Sequence, residues 1–294
     1  MPVKSFAWST VAVMMLVAPT LATAKEPALK AMIVDGQNNH DWQATTPLLK
    51  KHLEDSKLFT VDVATSPPKG ADLSGFKPVF SAYNVVVLNY NGQEWCDDAK
   101  KAFVDYVREG GGVVVVHAAD NAFSRWPEYN QIIGLGGWGG RDEASGPYIR
   151  FRDSGIVRDT QPGRGGEHGP QHPYLIAIRD ETHPITIGLP LEWMHAKDEL
   201  YAKLRGPALN IHVLGTAFSA PDMRGTNEHE PCLFTVEFGA GRTFHTTLGH
   251  SPDAMRCVGF IFTYQRGAEW AATGQVTQVA VPPDFPTAQQ VSQR

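Results

Sequence analysis

The alternation of short apolar runs with helix-like segments in the first half of the chain is the strongest constraint on its fold. Residues 31–34, 84–88 and 113–116 are largely apolar, and the last run is four consecutive valines. Leucines recur at helical spacing in 45–55, and residues 97–108 carry an apolar stripe that ends before three consecutive glycines. Continuous apolar strands are typical of sheets buried on both faces. The alternation therefore predicts an α/β fold with a mostly parallel sheet between helices.

The second half of the chain contains two glycine-rich segments, at 134–140 and 163–169. Ordered loops over the sheet are one interpretation, and disorder is the alternative for residues 154–170. Further apolar runs predict more strands, and a last helix is predicted before a proline-containing segment. Because we find no internal repeat and no low-complexity linker, we expect one domain at 25–280 and a flexible tail at 281–294.

The N-terminal segment is typical of a cleaved signal peptide. Lys4 gives a weakly basic start, residues 6–21 are largely apolar, and Ala22-Thr23-Ala24 has the small-x-small pattern of a cleavage site. A membrane anchor, the alternative, needs about 20 apolar residues. We therefore expect residues 1–24 to be removed after Ala24, and the protein to be periplasmic or secreted.

Charge and cysteine content exclude several classes of function. The formal net charge is −5, and with no basic block in the sequence we expect no binding to nucleic acid or to membranes. Cys96, Cys232 and Cys257 are too few and too widely spaced for a disulfide framework or a CxxC zinc site. One disulfide between two of them stays open, since an exported protein meets an oxidising compartment.

Polar side chains directly follow four of the predicted strands. In parallel α/β sheets, ligands bind outside the carboxyl ends of the strands. These ends would therefore place on one edge the side chains of Asp35, Gln37, Asn38, His40, Asn89, His117, Asp120 and His250. The alternatives are structural: Asp35 can satisfy backbone N–H groups at a turn, and His117 can be a core histidine. We interpret the edge as a binding site.

Other residues are assigned less directly. The adjacent acids Asp198 and Glu199 point different ways, so at most one of them is expected to be catalytic, and a cap is the alternative. His52 is expected at the surface and His195 is expected to be structural. Because no HxH or HExxH spacing occurs, a zinc or manganese site would need histidines from separate strands, namely His40, His117 and His250.

Seven segments together resemble the trehalose-utilisation (ThuA-like) family. They follow one another in order as DGQNNHDW (35–42), VVLNYNG (86–92), EGGGVVVVHAADNAF (109–123), GLGGWGGRDE (134–143), THPITIGLP (182–190), DELYAKL (198–204) and FGAGRTFHTTLGHSPDA (238–254). The resemblance implies a flavodoxin-like, class I glutamine amidotransferase-like three-layer sandwich. Relatives with amidotransferase activity carry a cysteine in the elbow after a central strand, where this sequence has His117. Amidotransfer and cysteine peptidase chemistry are therefore expected to be absent.

The resemblance also implies a role in disaccharide catabolism alongside oxidoreductases that produce 3-keto sugars. We expect the partners to be a small sugar or glycoside and a sugar oxidoreductase, and a homo-oligomer is compatible with the sequence. The leading hypothesis is proton abstraction from a 3-keto glycoside, followed by elimination, hydration or hydrolysis. The alternatives are hydrolysis of an unoxidised glycoside by Glu199 or Asp198 with a second carboxylate, and sugar binding without catalysis.

Roles on the leading hypothesis follow from what each side chain can do. His117 and His250 would act as base and acid, and His40 or a divalent cation would polarise the ketone. Glu199 is the candidate catalytic carboxylate. Sugar hydroxyls and rings would be held by Asp35, Gln37, Asn38, Asn89, Asp120 and Trp138.

Overall fold

The computed structural model of the protein describes residues 1–4, 28–153 and 155–294. The signal peptide expected at 1–24 lies almost entirely outside the described residues, so that expectation stands on the sequence alone. Across the described part of the chain, no helix has both the length and the apolar character needed to cross a membrane.

The first half of the chain forms parallel strands joined by helices, as the sequence predicts. Its elements are β1 (Leu29–Asp35), α1 (Trp42–Asp55), β2 (Phe59–Thr65), β3 (Val85–Leu88), α2 (Asp97–Arg108), β4 (Gly112–Val116) and α3 (Pro127–Ile133). The strand order is β2-β1-β3-β4, and every neighbouring pair is parallel. The carboxyl ends of these strands therefore reach the same edge of the sheet.

The second half of the chain extends the same sheet mainly with antiparallel strands. Its elements are β5 (Tyr148–Arg152), β6 (Gly155–Asp159), β7 (Glu167–His168), β8 (His172–Ile178), β9 (Glu192–Asp198), β10 (Tyr201–Ala202), β11 (Ile211–Ser219), β12 (Glu228–Phe238), β13 (Gly241–Thr246), α4 (Pro252–Met255) and α5 (Val258–Thr273). Strand β13 is parallel to β4, and β12, β11, β8 and β9 follow it in antiparallel order. Strands β7 and β10 pair separately. The predicted α/β fold class is confirmed, with a mixed central sheet.

Alternating side chains of the parallel strands fill two apolar cores, one on each face of the sheet. Ile33 and Val87 belong to the core that contains helices α1 and α5. Val34 and Leu88 belong to the core that contains α2 and α3. Each fully buried aliphatic side chain contributes about 1.5–3 kcal/mol, so both layers of helices are held to the sheet. The result is the expected three-layer sandwich.

The glycine-rich segments form ordered loops over the antiparallel half, which is the first of the two interpretations. The buried guanidinium of Arg205 donates to the carbonyl oxygens of Gly146 at 2.8 Å, Gln161 at 3.0 Å and Gly163 at 3.0 Å. Gly136 and Arg205 also form an isolated antiparallel bridge. A single arginine therefore joins both glycine-rich segments to the strand-end loop near β10.

The C-terminal segment 281–294 makes more contacts than a flexible tail would. The Phe285 ring packs against Trp193 and Phe262, with ring centroids 5.6 and 6.0 Å apart. The backbone N–H of Val258 donates to the carbonyl oxygen of Ser292 at 2.9 Å. The difference from our expectation arises because Phe285, together with Val281 and Val291, packs against the core that contains α5.

The three cysteines are free thiols in the structure. Cys232 and Cys257 are buried and Cys96 is partly exposed. The single disulfide that the sequence left open is therefore not formed in the structure.

Candidate active site

His117 occupies the sharp turn that follows the central strand β4. Its backbone has φ +45°, a conformation that is uncommon for residues other than glycine. The imidazole is only 2% exposed, and its Nδ1 lies 2.6 Å from the carbonyl oxygen of Thr247. A carbonyl oxygen only accepts hydrogen bonds, so Nδ1 carries the proton. The lone pair of Nε2 is therefore directed into the site.

Three predicted histidines meet at one carboxylate oxygen. Glu199 Oε2 lies 3.6 Å from Nε2 of His40, 3.6 Å from Nε2 of His117 and 3.1 Å from Nδ1 of His250. The ring centroids of His40 are 4.9 Å from those of His117 and 4.5 Å from those of His250. We call these four residues the imidazole–carboxylate centre. The structure thus brings together residues that are up to 210 positions apart in the chain (40 to 250).

The charges within the centre are strongly coupled. Burial opposes the charge of Glu199, but the imidazoles of His117, His250 and His40 outweigh it and hold the pKa of Glu199 well below its usual range. Burial lowers the pKa of His40 despite the neighbouring carboxylate. Burial acts the same way on His117, but Glu199 and Asp198 outweigh it and raise its pKa. Glu199 is therefore an anion at neutral pH.

Asp198 faces away from the centre, and its carboxylate accepts hydrogen bonds from the backbone that carries two of the four residues. One carboxylate oxygen accepts from the backbone N–H groups of Glu199 at 2.8 Å and His250 at 3.1 Å. The other oxygen accepts from Gly249 N–H at 2.7 Å and from His195 Nε2 at 2.8 Å. Of the two adjacent acids, Glu199 therefore faces the site, and Asp198 fixes the backbone that carries Glu199 and His250. His195 is structural, as expected.

A cavity of about 1060 Å³ opens from the centre. It is lined by many amide and aromatic side chains, including Gln37, Asn38, Asn39, Trp42, Gln43, Asn91, Gln93, Asn121, Trp138 and Tyr201. Amides donate and accept hydrogen bonds and aromatic rings offer apolar faces, a combination that suits sugar hydroxyls and sugar rings. The volume is at the upper end of the range for small-molecule sites, so it has space for more than one ring.

Three of the predicted sugar contacts are corrected, because Asp35, Asn89 and Asp120 lie beneath the cavity and do not line it. Asp35 is 1% exposed and Asp120 is 0% exposed. The Asn89 amide donates to the hydroxyls of Thr45 and Thr46 at 3.1 and 3.0 Å. Side chains at strand ends alternate between faces, so a polar residue at the edge can equally point into a helix–sheet layer. Gln37, Asn38 and Trp138 do line the cavity.

The sequence reasoning missed His168 and Tyr201, which also line the cavity. Strand β7 pairs with β10, with His168 opposite Tyr201. His168 Nε2 lies 3.8 Å from Glu199 Oε2, and its Nδ1 donates to the carbonyl oxygen of Gly169 at 2.8 Å. The Tyr201 ring packs 4.1 Å from that of His117. The only sequence signal was a histidine inside a glycine-rich segment, which does not identify its partner.

One further expectation differs from the structure. His52, expected at the surface, is 6% exposed, and its Nε2 lies 3.1 Å from the carbonyl oxygen of Met255. Helices α4 and α5 cover this side of α1, which its own periodicity does not reveal. The Gln171 side chain, for which we made no prediction, lies 2.8 Å from Nε2 of His250 at the cavity rim.

The comparisons with known proteins agree on one group of relatives. A family model described as trehalose utilisation, ThuA, matches residues 30–271. The chain is 51% identical to a ThuA-like protein of known structure from Parabacteroides merdae, with a TM-score of 0.89, over 91% of this chain and 98% of that chain. A comparison with curated protein sequences found no match.

More distant solved structures share the fold alone. A ThuA-like protein from Bacteroides uniformis is 19% identical, with a TM-score of 0.58, over 88% of this chain and 97% of that chain. A cytoplasmic protein from Salmonella typhimurium is 13% identical, with a TM-score of 0.50, over 83% of this chain and 99% of that chain.

Proposed function

The chain belongs to the trehalose-utilisation (ThuA) family, and we propose that it is an enzyme that cleaves an oxidised, 3-keto glycoside or disaccharide. The observation that carries the proposal is the imidazole–carboxylate centre at one end of a sugar-sized cavity, with His168 at its rim. A sugar-binding protein needs hydroxyl contacts and ring stacking, but it has no need for four imidazoles around one carboxylate. Proton transfer near neutral pH is the chemistry to which imidazole is best suited.

A ketone at C3 makes such a reaction feasible without any redox step. The ketone acidifies the hydrogen at C2, so a base removes that proton and the C–H electron pair forms an enolate on the C3 oxygen. The enolate electrons then return to form the C1–C2 double bond, and the bond from C1 to the glycosidic oxygen breaks. A proton is delivered to the leaving oxygen. Addition of water to the product would complete a net hydrolysis.

The geometry favours a joint role for three histidines at one substrate atom. His40, His117 and His250 converge on the same carboxylate oxygen, so we place the ketone oxygen on the cavity side of their nitrogens, where negative charge would develop. His168 presents Nε2 to the same space from the opposite loop. We assign it the proton transfer at C2 or at the leaving oxygen, in place of the separate acid and base roles of His117 and His250.

The other residues that line the cavity would bind the sugar. The indoles of Trp42 and Trp138 offer faces for ring stacking, and Gln37 and Asn38 offer hydrogen-bonding groups. A sugar oxidoreductase would have to supply the substrate, because a glycoside gains its C3 ketone only by loss of two electrons and two protons.

Export is part of the proposal and is supported by the sequence of residues 1–24. N-terminal sequencing of the purified protein should therefore begin at Lys25.

The rival reaction, hydrolysis of an unoxidised glycoside, lacks a second carboxylate. Glycosidases of the usual kind use two carboxyl groups about 5–10 Å apart, one of them protonated. Among the described residues that line the cavity, Glu199 is the only carboxylic acid. Its lowered pKa keeps it ionised, so it is unsuited to donate a proton.

The test is to incubate the purified protein with 3-keto-trehalose in D₂O and to follow it by NMR. We expect deuterium to enter at C2 and glucose to be released. Unoxidised trehalose is the matched control and should stay intact. Saturable binding of the keto sugar with neither exchange nor cleavage would refute the enzyme assignment and favour a sugar-binding protein, and cleavage of plain trehalose would favour the glycosidase rival.

A further inference from the structure

We propose that His40, His117, His250 and Glu199 form a binding site for one divalent first-row transition metal ion. Their inner nitrogen and oxygen atoms all lie within 4.8 Å of one another. The four residues come from four different segments of the chain, after β1, β4, β9 and β13. The sequence contains no metal motif at close spacing but named the three histidines as candidate ligands, and the folded chain adds Glu199 to them.

The separations within the centre fit ligands around an ion better than they fit hydrogen bonds. Two ligand atoms about 2.1 Å from a tetrahedral ion lie about 3.4 Å apart. Glu199 Oε2 is 3.6, 3.6 and 3.1 Å from the three histidine nitrogens. Direct hydrogen bonds between nitrogen and a carboxylate are typically about 2.7–2.9 Å. The distances from Glu199 Oε2 to the three nitrogens are therefore close to those between ligand atoms of one metal ion.

The outer nitrogens are held by groups that prepare the inner nitrogens for a metal. His117 Nδ1 donates to the Thr247 carbonyl oxygen at 2.6 Å, and His40 Nδ1 lies 3.3 Å from Asn38 Oδ1. The Gln171 amide nitrogen lies 2.8 Å from Nε2 of His250, and a flip of the amide would place its oxygen there as an acceptor. Metal-binding histidines almost always donate their second N–H in this way, which fixes the tautomer.

Two of the inner nitrogens have no hydrogen-bond partner among the described residues. These atoms are Nε2 of His117 and Nδ1 of His250, and both are shielded from solvent. His117 is 2% exposed and its unpartnered nitrogen is aimed into the centre. A buried polar atom without a partner costs free energy. A metal ion would satisfy both nitrogens at once.

The backbone around the centre is rigid in the way that a metal site requires. The two oxygens of Asp198 accept from the backbone N–H groups of Glu199, Gly249 and His250. One buried carboxylate thus fixes the positions of two ligands that come from separate strands. His195 donates to the same carboxylate and completes its shell.

Three imidazoles and one carboxylate suit zinc, manganese or iron in the divalent state better than magnesium or calcium, which prefer oxygen ligands. The centre borders the cavity, so an ion there can take a further ligand from the substrate side. That ion would act as a Lewis acid on the ketone oxygen. This catalytic role rests on the proposed function, whereas metal binding itself does not.

The test measures metal binding without any sugar. Untagged protein, purified and stripped with a chelator, is titrated with Zn²⁺, Mn²⁺ or Co²⁺, and the metal content of the untreated protein is determined by elemental analysis. We expect one equivalent of ion, and visible Co²⁺ absorption typical of mixed nitrogen and oxygen ligands. Loss of an outer-shell partner costs about 10–100-fold in affinity, so the ligand variants E199Q and H40Q should each lose at least about 100-fold.

The matched control is H212Q, because His212 pairs with Asp180 at the surface, outside the centre. It should bind metal like the unchanged protein. Failure to bind any of the three ions below about 100 µM, or equal affinities of E199Q, H40Q and H212Q, would overturn the proposal. If E199Q does not fold, H40Q decides, since His40 is only partly buried at the cavity wall. Metal binding without keto-sugar turnover would refute the proposed function and leave the metal site standing.

Discussion

The parallel and antiparallel halves of the sheet contribute different groups to the cavity. The strands β1, β4 and β13, which are parallel members of the sheet, are followed by His40, His117 and His250. The antiparallel half supplies Glu199 after β9, and His168 lies on β7, which pairs with β10 outside the central sheet. Three imidazoles therefore come from the parallel half, the carboxylate comes from the antiparallel half, and the fourth imidazole comes from the separate β7–β10 pair. The difference shows that the centre exists only where the two halves meet.

The largest expected effect is the loss of activity when Glu199 of the antiparallel half or His117 of the parallel half is replaced. Glu199→Gln removes the charge that gathers the imidazoles, and His117→Asn removes the most buried of them. Each should lower kcat/KM for a 3-keto glycoside by about 10³-fold, or about 4 kcal/mol of transition-state stabilisation. The double variant should lose about as much as the worse single variant loses alone, since the effects of residues that act as one unit are not additive.

Kinetics of the two single variants and the double variant measure this coupling. His212→Gln, outside the centre, is the control and should keep the unchanged kcat/KM. Fully additive losses of about 10⁶-fold would mean that the two halves act independently, against the joint centre described above.

The next prediction concerns stability, because buried histidines in the two halves respond to pH with opposite sign. Burial lowers the pKa of His52, under the parallel half, to about 4, below its unfolded value of about 6.5. His52 therefore stays neutral in the fold while the unfolded chain takes up a proton. The contribution of neutral His52 to the stability of the fold is complete above pH 6.5. About 3 kcal/mol of stability is lost as the pH falls toward 4.

His195, in the antiparallel half, behaves in the opposite way. Burial alone would lower its pKa, but Cys257 and Asp198 outweigh burial and raise it to about 9. Its contribution to stability is complete below about pH 6.5 and is lost as the pH rises through 9. The free energy of unfolding can be measured in urea at pH 4, 7 and 9. We expect His52→Gln to reduce its dependence on pH only between pH 4 and 7, and His195→Gln only between pH 7 and 9. The same change in both variants would contradict the opposite signs.

A smaller effect is expected at His168, on the separate β7–β10 pair at the rim of the cavity. His168→Asn removes the imidazole that we assign to proton transfer and keeps a hydrogen-bonding side chain of similar reach. We expect kcat to fall by about 10²-fold, or about 2.7 kcal/mol, because general acid–base catalysis contributes that much or more. Metal content should stay at the level of the unchanged protein, since His168 is outside the ligand set. A loss of metal together with kcat would make His168 a ligand instead.

The smallest effect is expected at Asp198, which joins the two halves without touching substrate. Asp198→Asn keeps the volume but turns one acceptor into a donor that faces backbone N–H groups. Metal affinity should fall by about 10–100-fold, with kcat/KM falling in step. KM for the sugar at saturating metal should change little, which a general loss of structure would not produce. Unchanged metal affinity would show that the backbone around Glu199 and His250 needs no such support.

The parallel half was predictable because its strands are local apolar runs and their order along one edge follows a general rule. That rule selected His40, His117 and His250 correctly as neighbours. It failed for Asp35, Asn89 and Asp120, because a strand end fixes a position along the edge but not the face to which a side chain points. His52 was misplaced for a related reason, since the helices that cover it are more than 190 residues away (52 to 252).

The sequence by itself determined the α/β class, the polar edge of the sheet and the three histidines on it, because apolar periodicity and strand ends are local properties of the chain. Only the tertiary structure decided that Glu199, not Asp198, faces the centre, and that His168 joins it through the pairing of β7 with β10. Antiparallel pairing brings together segments whose register depends on long loops and on buried contacts such as those of Arg205. Such contacts form between distant residues, so no local pattern contains them.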